Sequence, residues 1–496
     1  MVPKPGTLGI VRECYSKWER RAPLTPSHVE RLIKAGSRVL VQPSNQRVFA
    51  DSEYAAAGAT ITENLDEAAA IFGVKQQPAE SLLPNRAYTF FSHVIKAQPE
   101  NMALLDAIRE KKIRLFDYEV ITQGGLPGSA RTVAFGEFAG RAGMIGGLRS
   151  LGERALNLGY HSPLLSIGSA YMYPTLAAGK DAVSAVGDGI KRSGMPEPLS
   201  PFAVVFTGNG AASRGAREIF DLLPHTMVSP EELPHLPVDR HQLYGCVVEE
   251  EHMAARKDGG AFTRASYYAK PSDHESVFAQ NVVPYSSAII NCAYWDQRYQ
   301  RLLTTKQLTQ LKESGNNKLL GVVDVSCDIE GAFEMLTHST YPESPHYLFD
   351  TQTGSSRLDL SGDGLLMCGV DILPSELPRE ASAHFGDALL ANDVAAMGRL
   401  DYEQGWDDAK AILSPELAEA CIAADGALVQ RFQYIDQMRA SREDARSAIT
   451  AATAGSTVVE LNGHLFDSGM LNVTLDLLEK AVSTAPVPLQ RVCVDC

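Results

Sequence analysis

The chain has 496 residues, 45% hydrophobic and 21% charged, with a formal net charge of -15. That length exceeds one ordinary core and implies two or three domains, and the composition is globular, without disordered or fibrous bias. The acidic balance argues against general nucleic-acid or membrane binding, so any local basic cluster marks where an anionic ligand would be drawn in.

The first 135 residues alternate short apolar runs with helical stretches. Strands are expected at Leu8 to Val11, Arg38 to Gln42, Ala70 to Val74, Thr89 to Phe91 and Ile113 to Asp117. Helices are expected at Pro26 to Ala35, opened by Thr25-Pro26, and at Gln98 to Lys111. This alternation predicts a parallel sheet covered by helices on both faces. Phe135 to Leu158 is interrupted by Glu137, Arg141 and Arg149, which rules it out as a membrane span. Its glycines Gly136, Gly140, Gly143 and Gly147 predict a buried helix close to its neighbours. The N-terminus, MVPKPGTLGIV, has neither a signal core nor a transit pattern. A cytoplasmic location is the default, and a mitochondrial one follows if a leader has been removed.

A polar, Pro/Gly-rich stretch then leads into Pro201 to Asp221, PFAVVFTGNGAASRGAREIFD. Phe202 to Thr207 reads as a doubly covered parallel strand, and Ala216 to Leu223 has helical apolar spacing. Gly208 and Gly210 lie where a missing Cβ lets the backbone approach a pyrophosphate, whose charge would meet the free N–H groups of the helix opening at Ala211. Ser213 stands where the third glycine of G-x-G-x-x-G belongs, with Gly215 two residues on. An NAD site usually carries Asp or Glu about 20 residues past the first glycines. This chain has Thr226-Met227-Val228-Ser229 there, and Arg214 lies in the loop where it could face a 2′-phosphate. Both points favour NADP; Glu231 or Glu232 binding the ribose is the alternative.

Strands at Tyr244 to Val248, Ser287 to Asn291 and Leu319 to Val325 continue the second sheet, and Glu249 to Pro284 reads as a long covering loop. After Ser361, LLMCGVDILPSELPREASAHFGDALL reads as a crossing back to the first domain. The expected organisation is a discontinuous substrate domain of residues 1–135 with about 370–450, a dinucleotide domain of 136–369, and the start of a further linker domain at 456–496. Eight cysteines, scattered through apparent strands and helices, read as buried thiols. Cys493 and Cys496 lack the second pair or nearby histidines a metal site needs, and none is expected.

In an open parallel sheet, ligands bind beyond the carboxyl ends of the strands. In the first domain those ends carry Glu19-Arg20-Arg21, Lys75, His93 and Glu119. Each alone is an ordinary loop charge. Four together on one rim form a cationic, proton-exchanging set suited to a negatively charged substrate.

The segments WERRAPLTP, GVKQQP, FFSHVIKAQPENM, RLFDYE, RTVAFGEFAGRAGM, VVFTGNGAASRGA, VVDVSCDIEGAFE and DILPSELPREAS resemble the lysine-ketoglutarate reductase half of the bifunctional aminoadipic semialdehyde synthase family. The resemblance runs in order over about residues 8 to 445, and more distantly the chain is similar to fungal saccharopine dehydrogenase and alanine dehydrogenase. ELNGHLFDSG looks like the segment that precedes a covalently linked saccharopine dehydrogenase half. The resemblance implies an α/β protein of two Rossmann-like, doubly wound parallel-sheet domains with a cleft between them. It implies NADPH-dependent condensation of L-lysine with 2-oxoglutarate to saccharopine. On that reading Lys75 and His93 transfer protons, the lysine's pKa being lowered where other cations crowd it. Arg21 and Arg131 hold carboxylates of the oxo acid, and Lys96 adds charge. Glu119 tunes Lys75 or receives the substrate amine, and Asp328 faces the nicotinamide and amine. Gly208, Gly210, Ala211, Ser213, Arg214 and Ser229 bind the cofactor. Where the fungal enzymes follow the lysine with glutamate, this chain has Gln76. Three other readings stay open: an NAD-dependent, lysine-forming saccharopine dehydrogenase, an alanine dehydrogenase-like oxidoreductase, and a non-catalytic nucleotide-binding regulatory module. The module has no need of a cation cluster.

Overall fold

The computed structural model describes residues 4–442. Two compact units divide them at Phe135/Gly136 and Leu377/Pro378: residues 4–135 with 378–442, and residues 136–377. The chain thus leaves the first unit once and returns to it. The expected linker domain at 456–496, with ELNGHLFDSG, Cys493 and Cys496, lies outside the described residues.

In chain order the strands are β1 Thr7–Ile10, β2 Arg38–Val41, β3 Thr60–Ile61, β4 Ala70–Lys75, β5 Ala87–Phe91 and β6 Arg114–Asp117 in the first unit. The second unit adds β7 Ala203–Thr207, β8 His225–Val228, β9 Leu243–Val248, β10 Ala254–Arg256, β11 His274–Ser276, β12 Ala288–Asn291, β13 Gly321–Asp324, β14 Tyr347–Asp350, β15 Ser355–Arg357 and β16 Leu365–Cys368. β17 Cys421–Ala424 and β18 Ala427–Leu428 belong again to the first. The helices that matter below are α1 Pro26–Lys34, α2 Pro99–Glu110, α3 Gly136–Asn157, α4 Leu176–Ser193, α5 Ala211–Phe220, α6 Arg264–Ala269 and α7 Pro378–Ala391.

Each unit holds one sheet of eight strands, in the order β18-β17-β6-β5-β4-β1-β2-β3 in the first and β15-β14-β16-β13-β12-β7-β9-β8 in the second. β1 to β6 run parallel, and β17 returns antiparallel beside β6. In the second sheet β8, β9, β7, β12, β13 and β16 are parallel, and β14 and β15 close the edge antiparallel. Both units are therefore α/β with doubly wound, mostly parallel sheets. Their central strands are apolar along their whole length: β7, AVVFT, and β12, AIIN, are buried at every residue. That is the pattern of strands covered on both faces.

Helix α1 starts where Thr25 and Pro26 predict; the Thr25 N–H donates to His28 Nδ1 at 3.1 Å. Two stretches differ from expectation. The region read as a polar connector contains α4, whose Val183, Val186 and Ile190 are buried and whose first turn is capped by the Thr175 hydroxyl accepting from Ala178 N–H at 3.2 Å. Its glycines and charges hide that apolar stripe. The stretch 249–284 is likewise not structureless: it folds into the antiparallel β10–β11 hairpin and short helices including α6. Among the six described cysteines, all free thiols, Cys246, Cys368 and Cys421 are buried and Cys14 is exposed. No described helix is long and apolar enough to cross a membrane.

Candidate active site

Strand order locates the rim of the first unit. From β1 the chain winds outward through β2 and β3, then crosses back to β4 and winds the other way through β5 and β6. Neighbouring loops diverge where winding reverses, so the carboxyl ends of β1 and β4 flank the crevice of this sheet. Lys75 closes β4, and Glu13, Glu19 and Arg21 follow β1.

Glu13 organises this point. Its buried carboxylate accepts from two successive amides at the end of β4, Val74 N–H at 2.6 Å and Lys75 N–H at 3.1 Å. The register of β4 against β5 shifts here, between Phe72 and Lys75, so sheet pairing does not satisfy these amides regularly. Burial pushes the Glu13 carboxyl up to about 7, with the neighbouring Glu19 charge adding to the rise and the two amide bonds opposing it. Arg21 and Glu19 form a buried two-point pair, Nε to Oε1 at 2.8 Å and Nη2 to Oε2 at 2.6 Å. Burial raises Glu19, but the charge and hydrogen bonds of Arg21, with Lys75 behind them, outweigh it and hold the carboxyl below its usual range. Glu19 thus couples Arg21 to Lys75. The guanidinium also lies over the Phe135 ring, 4.2 Å from its centroid. With Nε and one Nη2 hydrogen committed to Glu19, the end-on Nη1/Nη2 edge of Arg21 is the one left for a substrate carboxylate.

Lys75 is the register partner of Phe91, and His93 follows two residues later. The Lys75 ammonium lies over Tyr15, 5.0 Å from the ring centroid. His93 takes a left-handed backbone conformation, φ 54°, uncommon for a side chain of its size. Its carbonyl accepts from Asn101 Nδ2 on α2 at 3.1 Å, and its ring stacks on Phe91. Asp117 ties the next two strand ends together: one carboxylate oxygen accepts from Ser92 N–H at 3.0 Å and from the Ser92 hydroxyl, the other from Glu119 N–H at 2.7 Å. Burial pushes Asp117 up to about 6 against these bonds. Glu119 and Arg131 pair with each other at 2.9 Å, so they reach a ligand as a pair or after opening. Lys96 is exposed, outside the buried set. α7 returns beneath this rim: Phe385 stacks on Phe135 at 4.4 Å between centroids and meets Tyr118 edge-on at 4.7 Å. A pocket of about 270 Å³ opens beside the Lys75 end of β4, lined by Cys14, Tyr15, Gln76, Gln77, Glu100 and Asn101. The Gln76 Oε1 is buried with no hydrogen-bond partner among the described residues.

Glu13, Asp117 and Phe385 were not singled out from sequence. The rim rule that selected Lys75 and Glu119 covers Glu13 and Asp117 as well, whereas Phe385 arrives from a distant helix that no local pattern links to β5.

In the second unit winding reverses between β7 and β12, and the glycine turn sits at that point. Gly208 has φ 74°, which a Cβ would strain, and its N–H donates to Val248 O at 2.8 Å. Gly210 precedes α5, and a Cβ there would meet nothing within 4 Å, leaving room for a ligand against the amides that open at Ala211. Ser213 is buried and its hydroxyl has no hydrogen-bond partner among the described residues. The close packing that the third fingerprint glycine normally allows is moved to Gly215, where a Cβ would lie 2.1 Å from Glu137 O, and to Gly140 opposite, 1.9 Å from Ala212 O. α3 and α5 thus meet backbone to backbone. These residues fit a dinucleotide pyrophosphate.

The cofactor-selecting residues are placed differently from the sequence reading. β9, not β8, lies beside β7. Ser229 therefore follows an edge strand one place removed from the glycine turn, and its N–H donates to Glu232 Oε2 at 2.8 Å. The strand end that borders the turn belongs to β9 and carries Glu249, whose Oε1 accepts from Asn209 Nδ2 at 3.3 Å. Arg214 lies 3.8 Å from Glu137, on the α3 side of its helix; it is Arg217 that reaches the turn, donating to Asn209 Oδ1 at 2.6 Å. At the last residues of β7, β12 and β13, Thr207 donates to Asn291 Oδ1 at 2.6 Å and Asn291 donates to Asp324 Oδ1 at 2.9 Å, a buried chain that ties the strand ends together. Asp328 sits in the tight turn after β13, its carbonyl accepting from Gly331 N–H at 2.9 Å. No described cluster of residues could hold a metal ion.

Residues 9–142 match the family "Alanine dehydrogenase/PNT, N-terminal domain". The chain is 42% identical over 504 residues to the alpha-aminoadipic semialdehyde synthase of Arabidopsis thaliana, covering 96% of this chain and 46% of that protein. It is 38% identical over 474 residues to the mitochondrial alpha-aminoadipic semialdehyde synthase of Bos taurus, covering 92% of this chain and 50% of that protein. This chain is a homologue of the alpha-aminoadipic semialdehyde synthases. It spans about half the length of those relatives. Yarrowia lipolytica saccharopine dehydrogenase [NAD(+), L-lysine-forming] is 27% identical over 407 residues, covering 79% of this chain and 93% of that protein. Among solved structures an L-alanine dehydrogenase shares the fold, with a TM-score of 0.56 and 18% identity over 87% of this chain and 99% of that one. The two-unit α/β architecture is therefore common to synthase homologue and dehydrogenase alike.

Proposed function

We propose that this chain is a lysine-ketoglutarate reductase, an NADPH-dependent oxidoreductase acting on the CH–NH bond that joins L-lysine and 2-oxoglutarate in saccharopine. The observation that carries the reading is the crevice of the first sheet, where Lys75, Arg21, Glu19 and Glu13 meet at the β1/β4 reversal with His93 at the next strand end. Homology to proteins named for aminoadipic semialdehyde synthesis, and to lysine-forming saccharopine dehydrogenases, supports this substrate class.

Condensation of an ε-amine with a ketone needs a proton removed from the amine, a proton delivered to the departing hydroxyl, and control of the imine that results. Lys75 and His93 are the proposed proton-transfer pair. The Glu13 clamp on the β4 amides and the Asn101 and Asp117 contacts around Ser92-His93 fix the backbone from which both side chains project. Arg21 with Arg131 and Lys96 would bind carboxylates of the diacid, Glu119 would receive the amine, and Asp328 would serve the nicotinamide side. A reduced nicotinamide supplies the hydride that converts imine to secondary amine. Gly208, Gly210, Ala211 and Ser213 are its proposed pyrophosphate cradle.

A second reading, NADH in place of NADPH, is favoured by one observation, the Glu249 carboxylate at the β9 end, a position that normally accepts from ribose hydroxyls. Absorbance loss at the nicotinamide band with NADPH, lysine and 2-oxoglutarate tests the proposal. Consumption with pyruvate and ammonia instead would overturn the substrate assignment, and no turnover with any pair would favour the regulatory module.

A further inference from the structure

Three successive carboxylates, Glu249, Glu250 and Glu251, follow β9, and one arginine faces them all. Arg264, opening α6, lies 2.6 Å from Glu249, 3.0 Å from Glu250 and 3.6 Å from Glu251. The segment between β9 and β12 brings it there: the β10–β11 hairpin turns the chain back, Thr263 caps α6 by accepting from Ser266 N–H at 3.2 Å, and the Tyr268 hydroxyl donates to Glu250 at 2.5 Å. The other oxygen of Glu249 holds Asn209 of the glycine turn. The strand end beside Gly208 is thus a carboxylate carrying its own counter-cation.

A bare carboxylate at this place accepts from ribose hydroxyls and repels a phosphate, whereas a guanidinium grips a phosphate through parallel hydrogen bonds. Arg264 is half exposed, so its pairing with three screened carboxylates exchanges readily with solvent and ions. A phosphate, carrying near two negative charges, offers it a stronger partner than any one of them. Arg214, by contrast, is turned to Glu137.

We propose that Arg264 is the specificity-determining residue that receives the 2′-phosphate of NADPH, leaving Glu249 as it does so. This rests on the dinucleotide reading of the second unit. It is tested by binding alone, without lysine or oxo acid, so that its failure is separate from failure of the proposed reaction.

The full chain is titrated with NADPH and with NADH, followed by protein fluorescence, with 2′,5′-ADP as competitor. Wild type should bind NADPH at least about tenfold more tightly than NADH; Arg264→Ala should weaken NADPH by that factor and NADH by less than about threefold, as expected for loss of a charge-assisted pair. Competition by 2′,5′-ADP should weaken in parallel. Retained NADH binding shows that the variant is folded; if Arg264→Ala binds neither dinucleotide, Arg264→Gln, which removes the charge and keeps the bulk, decides, a selective NADPH loss supporting the proposal and unchanged NADPH binding overturning it. Absence of an NADPH preference in wild type, equal weakening of both dinucleotides by a folded Arg264→Ala, or selective loss in Arg214→Ala instead would each overturn it. Selective NADPH binding without turnover of lysine and 2-oxoglutarate would sink the proposed reaction and leave this inference standing.

Discussion

Glu13→Gln should change stability in opposite directions at low and high pH. The Glu13 carboxyl is raised by burial from 4.5 to about 7, so the folded chain holds its proton more tightly than the unfolded chain does. Between about pH 4.5 and 7 the folded state carries a proton the unfolded state has lost, and stability falls as pH rises through that window. At about 1.4 kcal/mol per unit, the rise amounts to about 3 kcal/mol of destabilisation, fully expressed above pH 7. Glutamine has no charge to bury, but its amide accepts at one oxygen where the carboxylate accepts at two, leaving Val74 or Lys75 N–H unsatisfied at a cost of about 1 kcal/mol. The variant should therefore be more stable than wild type by about 2 kcal/mol at pH 8, about equal to it at pH 5, and less stable by about 1 kcal/mol at pH 4, below the unfolded-state pKa. Urea unfolding at these pH values, read from Trp18 and Trp406 of the first unit, measures this. A difference of the same sign and size at pH 4 and pH 8 would refute the assignment of a protonating carboxyl to this site. Some fall in wild-type stability with pH should remain in the variant, because Asp117 and Glu376 are also raised by burial, to about 6 and about 7.

Lys75→Met should abolish turnover while leaving dinucleotide affinity nearly intact, since the glycine turn belongs to the other unit; undiminished turnover would remove Lys75 from the mechanism. Asp117→Asn replaces one of the acceptors that hold Ser92 and Glu119 with a donor, at a cost of about 1–3 kcal/mol. Its kcat should fall at least about tenfold with dinucleotide Kd unchanged, and an unaltered kcat would deny it a positioning role. Gly210→Ala should keep the wild-type Tm but weaken dinucleotide binding, whereas Gly215→Ala, with a Cβ aimed 2.1 Å from Glu137 O, should lose about 1–3 kcal/mol or more of stability. A Gly215→Ala variant with unchanged Tm would contradict the backbone-to-backbone packing of α3 on α5.

By itself the amino-acid order determined what is local. Buried strands such as AVVFT, the turn at Gly208, the start of α1 at Thr25-Pro26 and the polar groups closing β4, β5 and β6 were legible, because apolar runs, caps and glycine conformations act within a few residues. Helix α4 escaped because glycines and charges dilute its apolar stripe. Only the tertiary structure decided which strand ends are neighbours. A rule that counts about 20 residues from the glycines pointed to Ser229, because it assumes that the next strand in sequence is the next in space; the fold inserts β9 there and puts Glu249 and Arg264 beside the turn. The same holds for the buried carboxyls. Glu13 is an ordinary acid in the chain, and its altered proton affinity arises only when β4 is laid against the segment after β1, since burial and hydrogen bonding depend on contacts between residues far apart in sequence.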